Sequence, residues 1–92
     1  MDLATAQRDP EAYLAWFCQA VGAALARRRE AAGISAYKMG RLVSVSDQAI
    51  LNLERGCVGK NGPCLGTVIR VALHLGILVP ELVRAAAAER AA

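Results

Sequence analysis

The chain is poor in most of the residues that announce a reaction. It has one histidine, His74, and three cysteines, Cys18, Cys57 and Cys64, an odd number without a CxxC pair. Zinc sites draw four N or S ligands from short, paired spacings. Cys57, Cys64 and His74 match no such pattern and lack a fourth ligand, so neither metal nor cofactor is expected. A single histidine leaves no Ser/His/Asp set, and no carboxylates cluster, so catalysis is not expected either. The cysteines read as free thiols in a reducing compartment. A redox switch at Cys57 or Cys64 is the alternative. Long apolar runs are also missing. The best candidate, 15–26, contains Gln19 and ends in Arg27-Arg28-Arg29, far from the roughly 18 apolar residues of a membrane span. The acidic start "MDLATAQRDPE" lacks the basic-then-apolar order of a signal peptide, and the expectation is a cytoplasmic protein.

Aromatics are scarce too: one Trp, two Tyr and one Phe, of which Tyr13, Trp16 and Phe17 fall within one turn. The 55% hydrophobic content rests on Ala, Leu and Val. That excludes a disordered chain and favours helices. No segment alternates with period two, so nothing calls for a sheet. Ninety-two residues make one small domain with a short extension.

Charge of one sign is uneven. Between Arg27 and Arg70 stand eight Lys/Arg against Glu30, Asp47 and Glu54, while the flanks carry three basic and five acidic residues. A basic centre suits a polyanion. Equally, three arginines in a row can simply solvate one helix.

Helix punctuation is legible. Asp9 reads as an N-cap with Pro10 at the first helical position and Glu11 in the first turn. Leu14, Cys18, Val21 and Leu25 form one apolar face, and Gly33 ends that helix, which runs either unbroken or hinged near Gly22. Ser35 caps a second helix, "AYKMGRLV". Ser46 caps a third that ends at Gly56. "CVGKNGP" is a loop. Pro63 opens a fourth helix with Leu65, Val68, Ile69, Ala72 and Leu75 on one face, and Pro80 a fifth whose alanines have little to bury. The expected fold is all-α with five helices.

Helices two and three are joined only by Ser44-Val45-Ser46, which holds them at a large angle as a helix-turn-helix. Gly40, costly inside a helix by about 1 kcal/mol, leaves room where the third helix crosses. Val45 fills the turn, and Ile50 and Leu53 face inward. Asp47, Gln48, Ala49 and Asn52 then lie on or beside the outward face. Gln48 and Asn52 are four apart and stack on one side. Their amides suit bidentate pairing with adenine in a major groove; the alternative is plain solvation of a surface helix. Ser46 and its helix N-terminus suit a phosphate. Lys38, Arg41, Arg55, Lys60 and Asn61 are further phosphate candidates.

From Leu25 to about Leu82, the segments "LARRREAAGIS", "YKMGRLVSVSDQAILNLERG" and "PCLGTVIRVALHLGI" resemble the Cro/cI-type (XRE) helix-turn-helix domain of phage repressors and bacterial regulators. The resemblance covers about two-thirds of the chain. It implies a lambda-repressor-like domain at 25–84, with a helical extension at 1–24 merging into helix 1 and an Ala-rich tail at 85–92. It further implies a sequence-specific, dimeric autorepressor, encoded by a bacterium or phage and held at the nucleoid when bound. By the family pattern Arg29 pairs with Glu54 as a structural clip. Ala36 stands where the family often has a phosphate-gripping Gln. Ser44 replaces a Gly that is often left-handed, which implies either strain or a different turn.

Leu51 and Leu73 stand where the pattern is usually polar. Large apolar residues beyond one core's needs suggest an interface. A two-fold dimer on a palindromic operator would use Tyr13, Trp16 and Phe17, or else Leu75, Ile77, Leu78, Leu82 and Val83. Alternatively the extended first helix folds back over these residues. The competing function is an antitoxin-like or adaptor module binding a partner protein, such as a toxin, through its exposed apolar residues.

Overall fold

The computed structural model describes residues 2–56 and 64–91. The "CVGKNGP" loop, with Cys57, Lys60 and Asn61, lies outside the described residues, as does Pro63. Within them all regular structure is helical: α1 Leu3–Arg8, α2 Pro10–Ala31, α3 Ala36–Val43, α4 Asp47–Glu54, α5 Leu65–His74 and α6 Val79–Ala91. There are six helices here, not five. The extra one, α1, buries nothing and therefore has no apolar period to reveal it. It rests on the Asp2 cap, whose Oδ1 accepts from the Thr5 N–H at 2.9 Å. Asp9 closes α1 through its own N–H to the Thr5 carbonyl and caps α2 through Oδ1, which accepts from Ala12 N–H at 3.1 Å.

α2 is one helix of 22 residues, roughly 33 Å at 1.5 Å per residue. It passes through Gly22 without a hinge. Its inner face begins at Phe17 and Cys18, because Leu14 lies on a segment that projects past the rest of the core and is itself exposed. The core draws on every helix from α2 to α6: Leu25, Met39, Ile50 and Val71 are fully buried, together with Ile77 from the α5–α6 connection. Each such side chain contributes about 1.5–3 kcal/mol of apolar burial.

Three expectations need correction. On α5 the buried residues are Val68, Val71 and Ala72, and Leu65 is 70% exposed. Leu65 starts the helix, one turn outside the packed layer. α6 begins at Val79, one residue before Pro80, and buries Leu82 and Ala86 one turn apart. The alanines have something to bury after all: their small side chains let α6 lie close against α2. Ala85 and Ala86 thus belong to α6 and its packing, and α2 runs unbroken across residues 24 and 25. Finally, Ile77 and Leu82 are 1% and 3% exposed. They belong to the monomer's own core, Ile77 wholly and Leu82 with one edge on an open apolar hollow. No single helix among the described residues is long and apolar enough to cross a membrane.

Candidate nucleic-acid interface

The candidate site is built on α3, the three-residue turn and α4. The Ser35 Oγ accepts from Lys38 N–H at 3.0 Å and starts α3. α3 ends at Ser44, which is left-handed at φ 63°, ψ 42°. The Val45 N–H then reaches back to the Gly40 carbonyl at 2.8 Å, the long bond of a Schellman end. So the turn is made by a left-handed Ser44, which carries its strain, about 1 kcal/mol for a non-glycine residue in that region.

Gly40 is required by the turn itself. A Cβ there would lie 2.6 Å from the Val45 carbonyl oxygen and 3.1 Å from the Ser46 carbonyl group, so the turn's backbone, not the crossing helix, occupies that space. Ser46 Oγ accepts from Ala49 N–H at 3.0 Å and starts α4. Ile50 and Leu53 anchor α4 inward, and Val45 packs half-buried beside them.

On the other side Asp47, Gln48 and Ala49 are exposed, and Leu51 and Asn52 are half-buried. The Gln48 Nε2 donates to Asn52 Oδ1 at 2.9 Å. The two amides therefore form one ledge, leaving Gln48 Oε1 as acceptor and the remaining N–H groups of both as donors. The Asp47 Oδ1 accepts from Gln48 N–H at 2.9 Å, so this carboxylate reinforces the helix start.

The far end of α4 is held by Arg29. Its Nε donates to Glu54 Oε2 at 2.6 Å and its Nη2 to Glu54 Oε1 at 3.0 Å, while Nη1 donates to the Ile34 carbonyl at 2.9 Å. Both side chains are nearly enclosed. Hydrogen bonding to Glu54 raises the Arg29 pKa further, against the opposing effect of burial. One guanidinium thus ties α2, the entry to α3 and the end of α4 together.

A second close contact lies beside it. A Cβ on Gly22 would sit 2.5 Å from the carbonyl oxygens of both Leu53 and Glu54. Gly22 is the point where α2 meets the end of α4.

The arginine triplet is occupied. Arg27 pairs with Glu89 at 2.7 Å and Arg28 approaches Glu81 at 3.9 Å, both on α6, while Arg29 is on Glu54. Three of the eight central cations thus face carboxylates, two of which come from the acidic flank. The apparent basic centre shrinks accordingly. Lys38, Arg41 and Arg55, all exposed, remain close to the outward face of α4 in sequence.

Arg41 also belongs to a pair not expected from the sequence. Its Nη1 donates to Tyr37 Oη at 3.2 Å, and its guanidinium lies 5.9 Å from the Tyr37 ring centroid. Tyr37 is 62% exposed, and accepting from Arg41 leaves its own O–H proton to donate outward. The spacing of four between Tyr37 and Arg41 was the available signal. At Ala36, half-buried beside it, no side chain can grip a phosphate.

The chain matches no known family model, no curated protein and no solved structure. The functional reading therefore rests on the chemistry of α3 and α4.

Proposed function

We propose that this chain is a sequence-specific double-stranded DNA-binding regulator of transcription, a repressor with a lambda-repressor-like helix-turn-helix. It inserts α4 into a major groove. The observation that carries this reading is the Gln48–Asn52 amide ledge on the outward side of α4, backed by the inward anchors Ile50 and Leu53. Two amides offering both acceptor and donors match the N7/N6 edge of adenine. Asp47 accepts from a cytosine amino group or excludes bases that cannot donate there.

Lys38 and the Tyr37–Arg41 pair on α3 hold one phosphate strand, with Ser46 and the α4 N-terminus close to the same backbone. Arg55, Lys60 and Asn61 supply contacts after α4. A two-fold operator would engage two copies, each with its own α4.

The test is selection from a library of random duplexes, followed by a salt titration on the enriched sequence. The expected result is one enriched motif, with affinity falling steeply as salt rises.

A second reading is favoured by the exposed Tyr13, Leu65, Leu73 and Leu78: an antitoxin-like or adaptor module that binds a partner protein. No enrichment of duplex, together with a stable heteromeric complex, would select it.

A further inference from the structure

Leu51 has no part in the amide ledge, although it stands beside it. α4 turns by about 100° per residue, so Leu51 lies roughly 60° to one side of Gln48 and Asn52 roughly 40° to the other. Ile50 and Leu53, both buried, lie across the helix from Gln48. Like Asn52, Leu51 is half-buried. Among the described residues it neither belongs to the core nor packs against it.

Asp47 stands four residues before Leu51, on the same flank of α4. Its Oδ1 accepts from Gln48 N–H, which leaves Oδ2 to accept from outside. The outward side of α4 thus carries two adjacent rows. One is Gln48 and Asn52, joined by their own hydrogen bond. The other is Asp47 and Leu51, an acceptor followed by a branched hydrocarbon.

The base edges in a major groove are hydrogen-bonding groups with one apolar exception, the C5-methyl group of a pyrimidine. A leucine set against the hydrogen-bonding groups strips water from atoms it cannot pair with, which costs free energy. Set against the methyl, it buries apolar surface on both sides and gains.

We propose that Leu51 is a specificity-determining residue that takes the C5-methyl group of a pyrimidine beside the base held by Gln48. The proposal rests on the reading of α4 as the helix in the major groove, and adds to it a contact made without hydrogen bonds. Two bases carry this methyl, thymine and 5-methylcytosine. They differ at the neighbouring atom, which is the O4 acceptor in one and the N4 amino group in the other.

The test uses the full chain and the duplex enriched by selection. Deoxyuridine replaces thymidine one position at a time, which removes a methyl and leaves every hydrogen-bonding group in place. In the same way 5-methyldeoxycytidine replaces deoxycytidine, which adds only a methyl. At one position the affinity should change by about 3- to 5-fold, the scale set by burying one methyl. A fall with deoxyuridine identifies thymine as the base bound, and a rise with 5-methyldeoxycytidine identifies the methylated cytosine. Leu51→Ala should abolish this dependence. So should Leu51→Gln, which keeps the length of the side chain and its helix propensity and serves if the alanine variant misfolds. Leu51→Met should retain it. A parent chain indifferent to every methyl substitution overturns the proposal, as does a folded Leu51→Ala or Leu51→Gln variant that keeps the full methyl effect. Gln48→Ala separates the two readings: if it loses affinity while no methyl matters, only the role of Leu51 falls. If no duplex is enriched at all, both fall.

Discussion

Gly22→Ala gives opposite signs according to whether helix propensity or packing governs position 22. The residue lies in the interior of α2, where Ala is favoured over Gly by about 1 kcal/mol. Propensity alone therefore predicts a more stable protein. The added methyl would instead sit 2.5 Å from the carbonyl oxygens of Leu53 and Glu54. Both are backbone atoms at the end of α4 and cannot swing aside as a side chain could. α4 must retreat by several tenths of an ångström, loosening the 2.6 Å contact between Arg29 and Glu54. Overpacking of this kind costs about 3 kcal/mol at its upper range. The net expectation is a loss of about 2 kcal/mol, or a Tm lower by roughly 10 °C for a chain of this size. Urea unfolding followed by circular dichroism measures it. Gly66→Ala is the internal control: among the described residues its Cβ would meet only the Cys64 Sγ at an ordinary 3.8 Å, so it should be neutral or stabilising by a few tenths of a kcal/mol. If Gly22→Ala is as stable as the parent or more so, the α2–α4 crossing described above is wrong.

Three further outcomes follow from the same geometry. Arg29→Met should cost about 2–4 kcal/mol, because it leaves the enclosed Glu54 carboxylate uncompensated. Arg29→Met combined with Glu54→Leu should recover part of that loss, and a thermal-melt double-mutant cycle with no coupling would contradict the clip. Ser44→Gly should stabilise by about 1 kcal/mol, since φ 63° carries no penalty for glycine; a destabilised variant in the same melts would argue against a left-handed turn. Cys64 is exposed and its pKa is held below the ordinary thiol value by hydrogen bonds from Thr67, first its backbone N–H and then its hydroxyl, whereas burial raises that of Cys18. Iodoacetamide near pH 7.5 should therefore label Cys64 well before Cys18 in peptide mass spectra. Equal rates would contradict this.

Much of the scaffold was legible because its signals are local. Asp9, Ser35 and Ser46 cap helices with their own side chains over three residues, and the inward pair Ile50 and Leu53 follows from helical period alone. What escaped the sequence depended on distance along the chain. Arg27 and Arg28 counted towards a basic centre that suited a polyanion or plain solvation alike, and only the fold shows Glu89 and Glu81 of α6 against them. At Gly22 the sequence left an unbroken helix and a hinge side by side, because the residue's reason is a carbonyl pair more than thirty residues away. Ile77 and Leu82 read as interface because composition cannot say which side of a helix a core will claim. The helix at 3–8 had no apolar face to betray it. At the candidate site, helical spacing brought Gln48 and Asn52 together, but their mutual hydrogen bond, and the Tyr37–Arg41 pair, required side-chain placement.

The most direct test of DNA reading by α4 is a quantitative comparison on the selected duplex and on an unrelated one, at two salt concentrations. Gln48→Ala and Asn52→Ala should each lose roughly 1–3 kcal/mol on the selected duplex, about 5- to 150-fold, and little on the unrelated one. Because Gln48 donates to Asn52, the double variant should lose less than the sum of the two. Lys38→Ala should instead weaken both duplexes alike and flatten the salt dependence. If the two amide variants fold and bind the selected duplex as tightly as the parent, α4 is not the reading helix and the central claim fails.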